Sequence, residues 1–263
     1  MIKKIVLLGS GNLATQLAPA LVLAGAEVIQ IYSRRIAHAR KLARVLTCPA
    51  TSKIDEIITN ADLYLFAISD QAIQAIAEQL SKALPENGRF IFAHTSGATP
   101  QLVFKGLVEN YGIFYPVQTF SKDRPADFST IPFCIDGNRK NVRNKLAMLA
   151  KTLSPKVSLI TDEQRAILHV AAVFVNNFTN ALFSVGKDIL DEHAIPFELL
   201  TPLILETAKK VQENAPRTMQ TGPARRGDQK TIQRHQTLLN NHPAFQEIYQ
   251  KLSELIIQQQ QQK

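Results

Sequence analysis

The stretch Ile5-Val6-Leu7-Leu8-Gly9-Ser10-Gly11-Asn12-Leu13-Ala14 decides the architecture of this chain. Four apolar residues run straight into a glycine-rich turn, and small apolar residues then recur at helical spacing from Ala14 to Ala24, ahead of Gly25. The pattern is strand, tight turn, helix, with G-x-G-x-x-A at the junction. Gly9 allows the sharp turn, Gly11 lets the backbone approach a pyrophosphate, and Ala14 lets helix and strand pack closely. The N–H groups at the helix start, around Ser10, Asn12 and Leu13, face that phosphate with the positive end of the helix dipole behind them. A dinucleotide site is the expectation. A turn of the same shape in another kind of α/β protein is the bland alternative.

The next strand selects the nucleotide. Glu27-Val28-Ile29-Gln30-Ile31-Tyr32 ends in Ser33-Arg34-Arg35, where a site for NAD places an acid to accept from the ribose 2′-hydroxyl. A hydroxyl and two guanidinium groups suit a 2′-phosphate instead, through forked, charge-assisted hydrogen bonds. No acid occurs between Val28 and Asp55, and NADP is the expected cofactor. Arg40, Lys41 and Arg44 read as a solvated helix face.

Lys and Arg number 30 against 22 Asp and Glu, a net charge of +8. That excess collects in three places, Arg34 to Arg44, Arg139 to Lys145 and Arg217 to Arg234, without a basic stretch interleaved with aromatics. An anionic cofactor and a small acidic substrate account for it, and nucleic acid is not an expected partner. Cys48 and Cys134 fit no metal or redox spacing. The apolar run after Met1-Ile2-Lys3-Lys4 is broken by the glycine turn and is better used as a strand than as a signal peptide. No apolar segment reaches membrane-spanning length on this reading, so no membrane partner is expected and the cytoplasm is the expected location.

Strands and helices alternate through the first half. Strands are expected at 62–68, 89–94, 112–115, 132–135 and 156–160, with a short piece at 48–50. Helices are expected at 71–82, after an Asp70 cap, and at 141–152. This is a Rossmann-type, mostly parallel sheet over residues 1–160. From Asp162 onward only helices follow, giving an all-helical second domain over 161–263. They are expected at 162–191 (capped by Asp162), 197–214, 228–240 and 244–257. Gln258 to Gln262 is a low-complexity tail, expected to fray.

Ligands of an open α/β sheet sit beyond the carboxyl ends of its strands. Ser69, next to Asp70, and His94-Thr95-Ser96-Gly97 fall at that edge, so Ser69, His94 and Ser96 are candidate cofactor contacts. The helix after Asp162 is apolar nearly all round and is expected to be buried. At about 100° per residue His169, Asn176 and Asn180 share one line, which suggests a polar stripe at a site or a structural network between helices. Lys187 shares the line but lies roughly 27 Å from His169, too far for one site. In Thr221-Gly222-Pro223-Ala224-Arg225-Arg226-Gly227-Asp228, Asp228 caps a helix, and Arg225 or Arg226 could hold a carboxylate bidentately. Arg226 is the preferred anchor.

Gly9 to Ala14, Ile68-Ser69-Asp70, His94 to Gly97, Tyr115-Pro116-Val117-Gln118 and TGPARRGD with His235 together resemble one family. It joins a Rossmann-like domain to a C-terminal domain of unknown function 2520. It is similar to pyrroline-5-carboxylate reductases, deazaflavin-dependent NADP oxidoreductases and ketopantoate reductases. The resemblance covers almost the whole chain and implies an NADP-dependent oxidoreductase, a homodimer through the helical domain. Ketopantoate reductases carry a lysine one turn before an asparagine. Here Asn176 and Asn180 keep the amide spacing, while the preceding turn holds Ala172. The combined expectation is a reductase that passes hydride from NADPH to a carbonyl or imine of a small carboxylate. His169 or Asp228 would act as acid/base, Asn176 as an orienting hydrogen bond and Arg226 as carboxylate anchor. A non-catalytic NADP-binding sensor or scaffold is the competing class, because it needs only the glycine turn.

Overall fold

The computed structural model describes residues 2–85 and 88–261. Its strands are β1 Lys4–Leu8, β2 Glu27–Tyr32, β3 Ala50–Thr51, β4 Leu63–Phe66, β5 Ile91–His94, β6 Tyr111–Pro116, β7 Phe133–Gly137 and β8 Val157–Leu159. They form one sheet in the order β3-β2-β1-β4-β5-β6-β7-β8, parallel except where β6 meets β7. Each expected strand is present, β2 with the ends expected and the others lengthened, trimmed or shifted by one or two residues, and the sheet is mostly parallel.

Period-two alternation splits each central strand between two apolar layers. Ile5, Leu7, Leu63 and Leu65 face one core with α1 Asn12–Leu23 and α2 Ile36–Leu46. Val6, Leu8, Tyr64 and Phe66 face the other, covered by α3 Asp70–Ala83. α4 Lys140–Lys151 extends the first layer through Val142 and Leu146. Burial on both faces is why these strands are continuous apolar runs. Strand order reverses between β1 and β4, the switch point where such sheets bind ligands. Ser69, not Asp70, is the N-cap residue of α3. Asp70 occupies the first turn, where its charge still meets the helix dipole.

The chain divides into two compact units, Met1–Val173 and Phe174–Lys263. The expected division at 160 differs by the length of α5, Asp162–Ala172, which packs with the first unit. Thr161 caps α5, accepting from the Gln164 N–H while the Gln164 side chain accepts from the Thr161 N–H. Asp162 is therefore not the cap. Its carboxylate accepts from the Gln101 backbone N–H at 2.9 Å and pairs with Arg165 at 2.5 Å.

The helix begun by α5 continues through a π-helical turn, Val173–Phe178, into α6 Thr179–Glu192. The second unit also contains α7 Thr201–Glu213, α8 Pro216–Met219, α9 Pro223–Arg226, α10 Gln229–Leu238 and α11 Pro243–Gln261. Ala224 of α9, Ile232 of α10 and Ser253 of α11 are buried, and His235 Nδ1 lies 2.9 Å from the Tyr249 hydroxyl. The glutamine tail is helical through Gln261, and Gln262 lies outside the described residues.

Two expectations are overturned along the central helix. It is not buried: Val175 is 75% and Phe174 62% exposed, and Leu199 and Leu203 after α6 are open as well. Among the described residues these side chains are left open, and a helix that is apolar all round needs cover on more than one face. Asp162–Glu192 also spans 31 residues with mean hydropathy 1.4 over its most apolar stretch, long and apolar enough to cross a membrane. The expectation that no segment reaches that length does not hold. Asn176, Asn177 and Asn180 break up the apolar run without removing it.

Candidate nucleotide-binding and catalytic site

The turn after β1 opens a cavity of about 620 Å³ at the switch point. Gly9 has φ +133°, and a Cβ there would lie 2.0 Å from the Ala67 carbonyl oxygen. It is thus held by steric contact with the end of β4, besides its N–H donating to the Tyr32 carbonyl at 2.8 Å. Gly11 is the opposite case, since the space around its missing Cβ is open. That opening beside the N-terminus of α1 is where a phosphate can reach backbone N–H groups. Ser10, Asn12 and Leu13 line the same cavity.

Ser10 Oγ donates to Ser33 Oγ at 2.8 Å, which ties the glycine turn to the end of β2. Ser33, Arg34, Arg35 and His38 line one wall, Lys122 and Ser69 also reach the cavity, and Asp70 is the acid among the lining residues. Among the described residues Arg34, Arg35 and Lys122 form no ion pair. Glycine cradle, volume and cationic wall all fit a dinucleotide phosphate ligand. Arg40 and Arg44 are exposed and lie outside this cavity, as a solvated face should.

At the end of β5, Thr95 and Ser96 line the cavity but His94 does not. His94 is fully buried, and its Nδ1 accepts from the Ser96 backbone N–H at 3.2 Å. The expected cofactor contact by His94 is therefore corrected. The ring shapes the turn from behind, and Thr95, its hydroxyl bonded to the Phe66 carbonyl at 3.3 Å, lines the cavity in its place. Burial, helped by the Arg165 guanidinium, lowers the His94 pKa to about 3 against a smaller opposing effect of the Pro100 carbonyl. The ring is neutral at physiological pH, with its proton on Nε2 because Nδ1 accepts. Ser96 Oγ accepts from the Ala98 and Thr99 N–H groups, which pins the turn.

The same turn brings His169 into contact. A Cβ on Gly97 would lie 2.4 Å from His169 Nδ1 and 2.9 Å from Tyr115 Cζ. Only glycine lets the imidazole of α5 lie against the ends of β5 and β6. His169 Nδ1 is 3.4 Å from the Tyr115 hydroxyl, and burial raises the Tyr115 pKa. Behind the pair sits Arg165, 1% exposed, bonded to Asp162 at 2.5 Å and to the Thr99 carbonyl. Neither Tyr115 nor Arg165 was nominated from sequence. Tyr115 had a signal in its place at a strand's carboxyl end, whereas nothing distinguishes Arg165 from a surface cation three residues after an acid.

In the second unit Asn176 and Asn180 are exposed, not parts of a buried stripe. The π-helical turn also breaks the even 100° progression, because i→i+5 bonding widens each turn. Asp228 caps α10: Oδ1 accepts from the Thr231 N–H at 3.1 Å and Oδ2 from the Thr231 hydroxyl at 2.7 Å. Those hydrogen bonds, with smaller help from Arg226 and His235, hold its pKa below the usual carboxylate value. Arg225 is committed to the Thr218 and Gln220 carbonyls. Arg226 is exposed and bonds no side chain or carbonyl among the described residues, so its fork is free for a ligand.

Switch-point cavity, glycine cradle and cationic wall define a dinucleotide-binding protein of the Rossmann class. Residues 4–89 match the family described as NADP oxidoreductase, coenzyme F420-dependent, and residues 131–256 match the domain of unknown function DUF2520. A Bacteroides fragilis protein provisionally described as an NADP oxidoreductase is 40% identical, covering 98% of each chain with a TM-score of 0.92. This chain belongs to that family, and it is an NAD(P)-dependent oxidoreductase. A Thermotoga maritima protein is similar at 21% identity, 98% of each chain and TM-score 0.73. A pyrroline-5-carboxylate reductase from Coxiella burnetii is similar at 15% identity, 100% of this chain, 98% of its own and TM-score 0.60. These last two speak to the fold alone. No protein with a curated function matches.

Proposed function

We propose that the chain is an NADPH-dependent reductase of a carbonyl or imine group in a small carboxylate, ketopantoate-like compounds among them. The observation that carries the cofactor choice is the Ser33-Arg34-Arg35 wall on the cavity that Gly9 and Gly11 open. A 2′-phosphate meets two guanidinium groups there that form no ion pair among the described residues, whereas a 2′-hydroxyl would find no acid on that wall to accept its hydrogen bond. Bound NADPH supplies the hydride.

The chain's own residues supply orientation and the balancing proton. The α1 N-terminus and the glycine turn hold the pyrophosphate. His169, backed by Tyr115, delivers a proton to the substrate oxygen or nitrogen as negative charge develops there. The alternative donor, Asp228, is disfavoured because its hydrogen bonds stabilise the ionised form. Arg226 grips the substrate carboxylate as a bidentate fork, and Asn176 orients the reacting group by a hydrogen bond. The uncovered apolar surface of α6 and α7 is read as the contact of a homodimer, and the cytoplasm as the location.

The test is NADPH oxidation across a panel of 2-keto and imino acids. Asn176→Ala and Arg226→Ala are expected to lose turnover by roughly 100-fold while binding NADPH normally. Wild-type rates in both variants would remove them from the site, and no oxidation with any substrate would contradict the reductase reading.

A further inference from the structure

The loop joining β6 to β7 is tied to the first helix of the sheet domain by one side chain. Gln16, in the second turn of α1, reaches across to it: Nε2 donates to the Ser121 and Lys122 carbonyls at 2.8 and 3.1 Å. Oε1 accepts from the Ala126 N–H at 3.2 Å. One half-buried amide thus clamps a loop more than a hundred residues away in sequence. A carboxylate could not do this, because it has no protons to donate to two carbonyls.

The clamp decides where Lys122 stands. Gln16 lies about one helical turn from Asn12, so the clamped loop runs beside the phosphate-binding end of α1. Lys122 lines the cavity there and has no carboxylate partner among the described residues. The two arginines at the end of β2 have the forked geometry that suits a phosphate monoester. A lysine beside a helix N-terminus adds a point charge where a bridging diphosphate would sit.

We propose that Lys122 is a pyrophosphate ligand of the bound nucleotide and that Gln16 is its positioning residue. This rests on the nucleotide reading above and extends it to a segment outside the glycine fingerprint. Because both nicotinamide nucleotides carry the pyrophosphate, Lys122 sets affinity without setting the choice between them.

The experiment is titration of the full-length protein with NADPH and with NADH, read by nucleotide fluorescence or calorimetry. Lys122→Ala is expected to weaken both nucleotides by about tenfold and leave their affinity ratio unchanged. Arg34→Ala is expected to lower the ratio. Gln16→Glu should weaken both nucleotides by a similar factor, and adding Lys122→Ala to it should cost little more, because the two act through one contact. Gln16→Ala serves if the acidic variant does not fold. An unchanged affinity in Lys122→Ala overturns the proposal, and so does a loss confined to NADPH, which would put the lysine at the 2′-phosphate. Full additivity overturns the positioning role of Gln16. A wild-type protein that binds neither nucleotide overturns the underlying reading instead.

Discussion

Gly9 and Gly11 stand two residues apart and work in opposite ways. Gly9→Ala sets a Cβ against the Ala67 carbonyl in a backbone conformation that L-residues avoid. It is expected to cost at least about 2 kcal/mol and lower Tm by roughly 4–8 °C. Gly11→Ala meets open space, so its melting temperature should stay near wild type while NADPH affinity falls about tenfold or more, as thermal melts and titrations together would reveal. His94 gives a pH signature. Burial holds its pKa down at about 3 in the folded protein, against the ordinary imidazole value of 6.5 when unfolded. Above pH 6.5 both states are neutral and the residue adds no pH dependence. As pH falls from there towards 3 the unfolded chain takes up the proton first, and stability drops by about 1.4 kcal/mol per pH unit. Denaturant unfolding measured across that range should show the slope, and His94→Gln should lose it. The glycine roles were legible because sterics and motif spacing are properties of sequence. The inward turn of His94 was not, since the strand register that aims a side chain into or out of a sheet edge depends on its neighbours.

Elements carry a second kind of information. The strands stood out because burial on both faces demands unbroken apolar runs, and the helices of the first unit because their caps and spacing are local. The Thr161–Gln164 capping box displaced Asp162, whose carboxylate pairs along the helix with Arg165, and the burial of that pair against Gln101 and Thr99 arises only once α5 packs on the rest of the first unit. The π-helical turn at Val173–Phe178 was invisible for a related reason: its composition is that of an ordinary apolar helix. Such turns commonly sit at functional positions. Deleting Val175 should let the segment close as a regular α-helix, leaving far-UV circular dichroism nearly unchanged while turnover falls by roughly 100-fold through misplacement of Asn176. Unchanged turnover would separate the turn from the chemistry.

At the scale of the whole molecule, an apolar pattern all round a helix implies burial, but sequence does not say whether the covering surface belongs to the same chain. In one chain that helix is open, and the proposed second copy is what would cover it. Phe174→Asp and Leu203→Asp place charges on that surface. Sedimentation should show a dimer for the wild type and a monomer for the double variant, while a monomeric wild type would contradict the assembly. The central claim nevertheless concerns one phosphate pair, held by the backbone at the first turn and by guanidinium groups at the end of the neighbouring strand. Competitive titration of the purified chain with NADPH and NADH tests it most directly. The account predicts NADPH binding at least about tenfold tighter, with the margin removed by Arg34→Ala together with Arg35→Ala. Equal affinity for the two, tighter NADH, or no binding of either would contradict it.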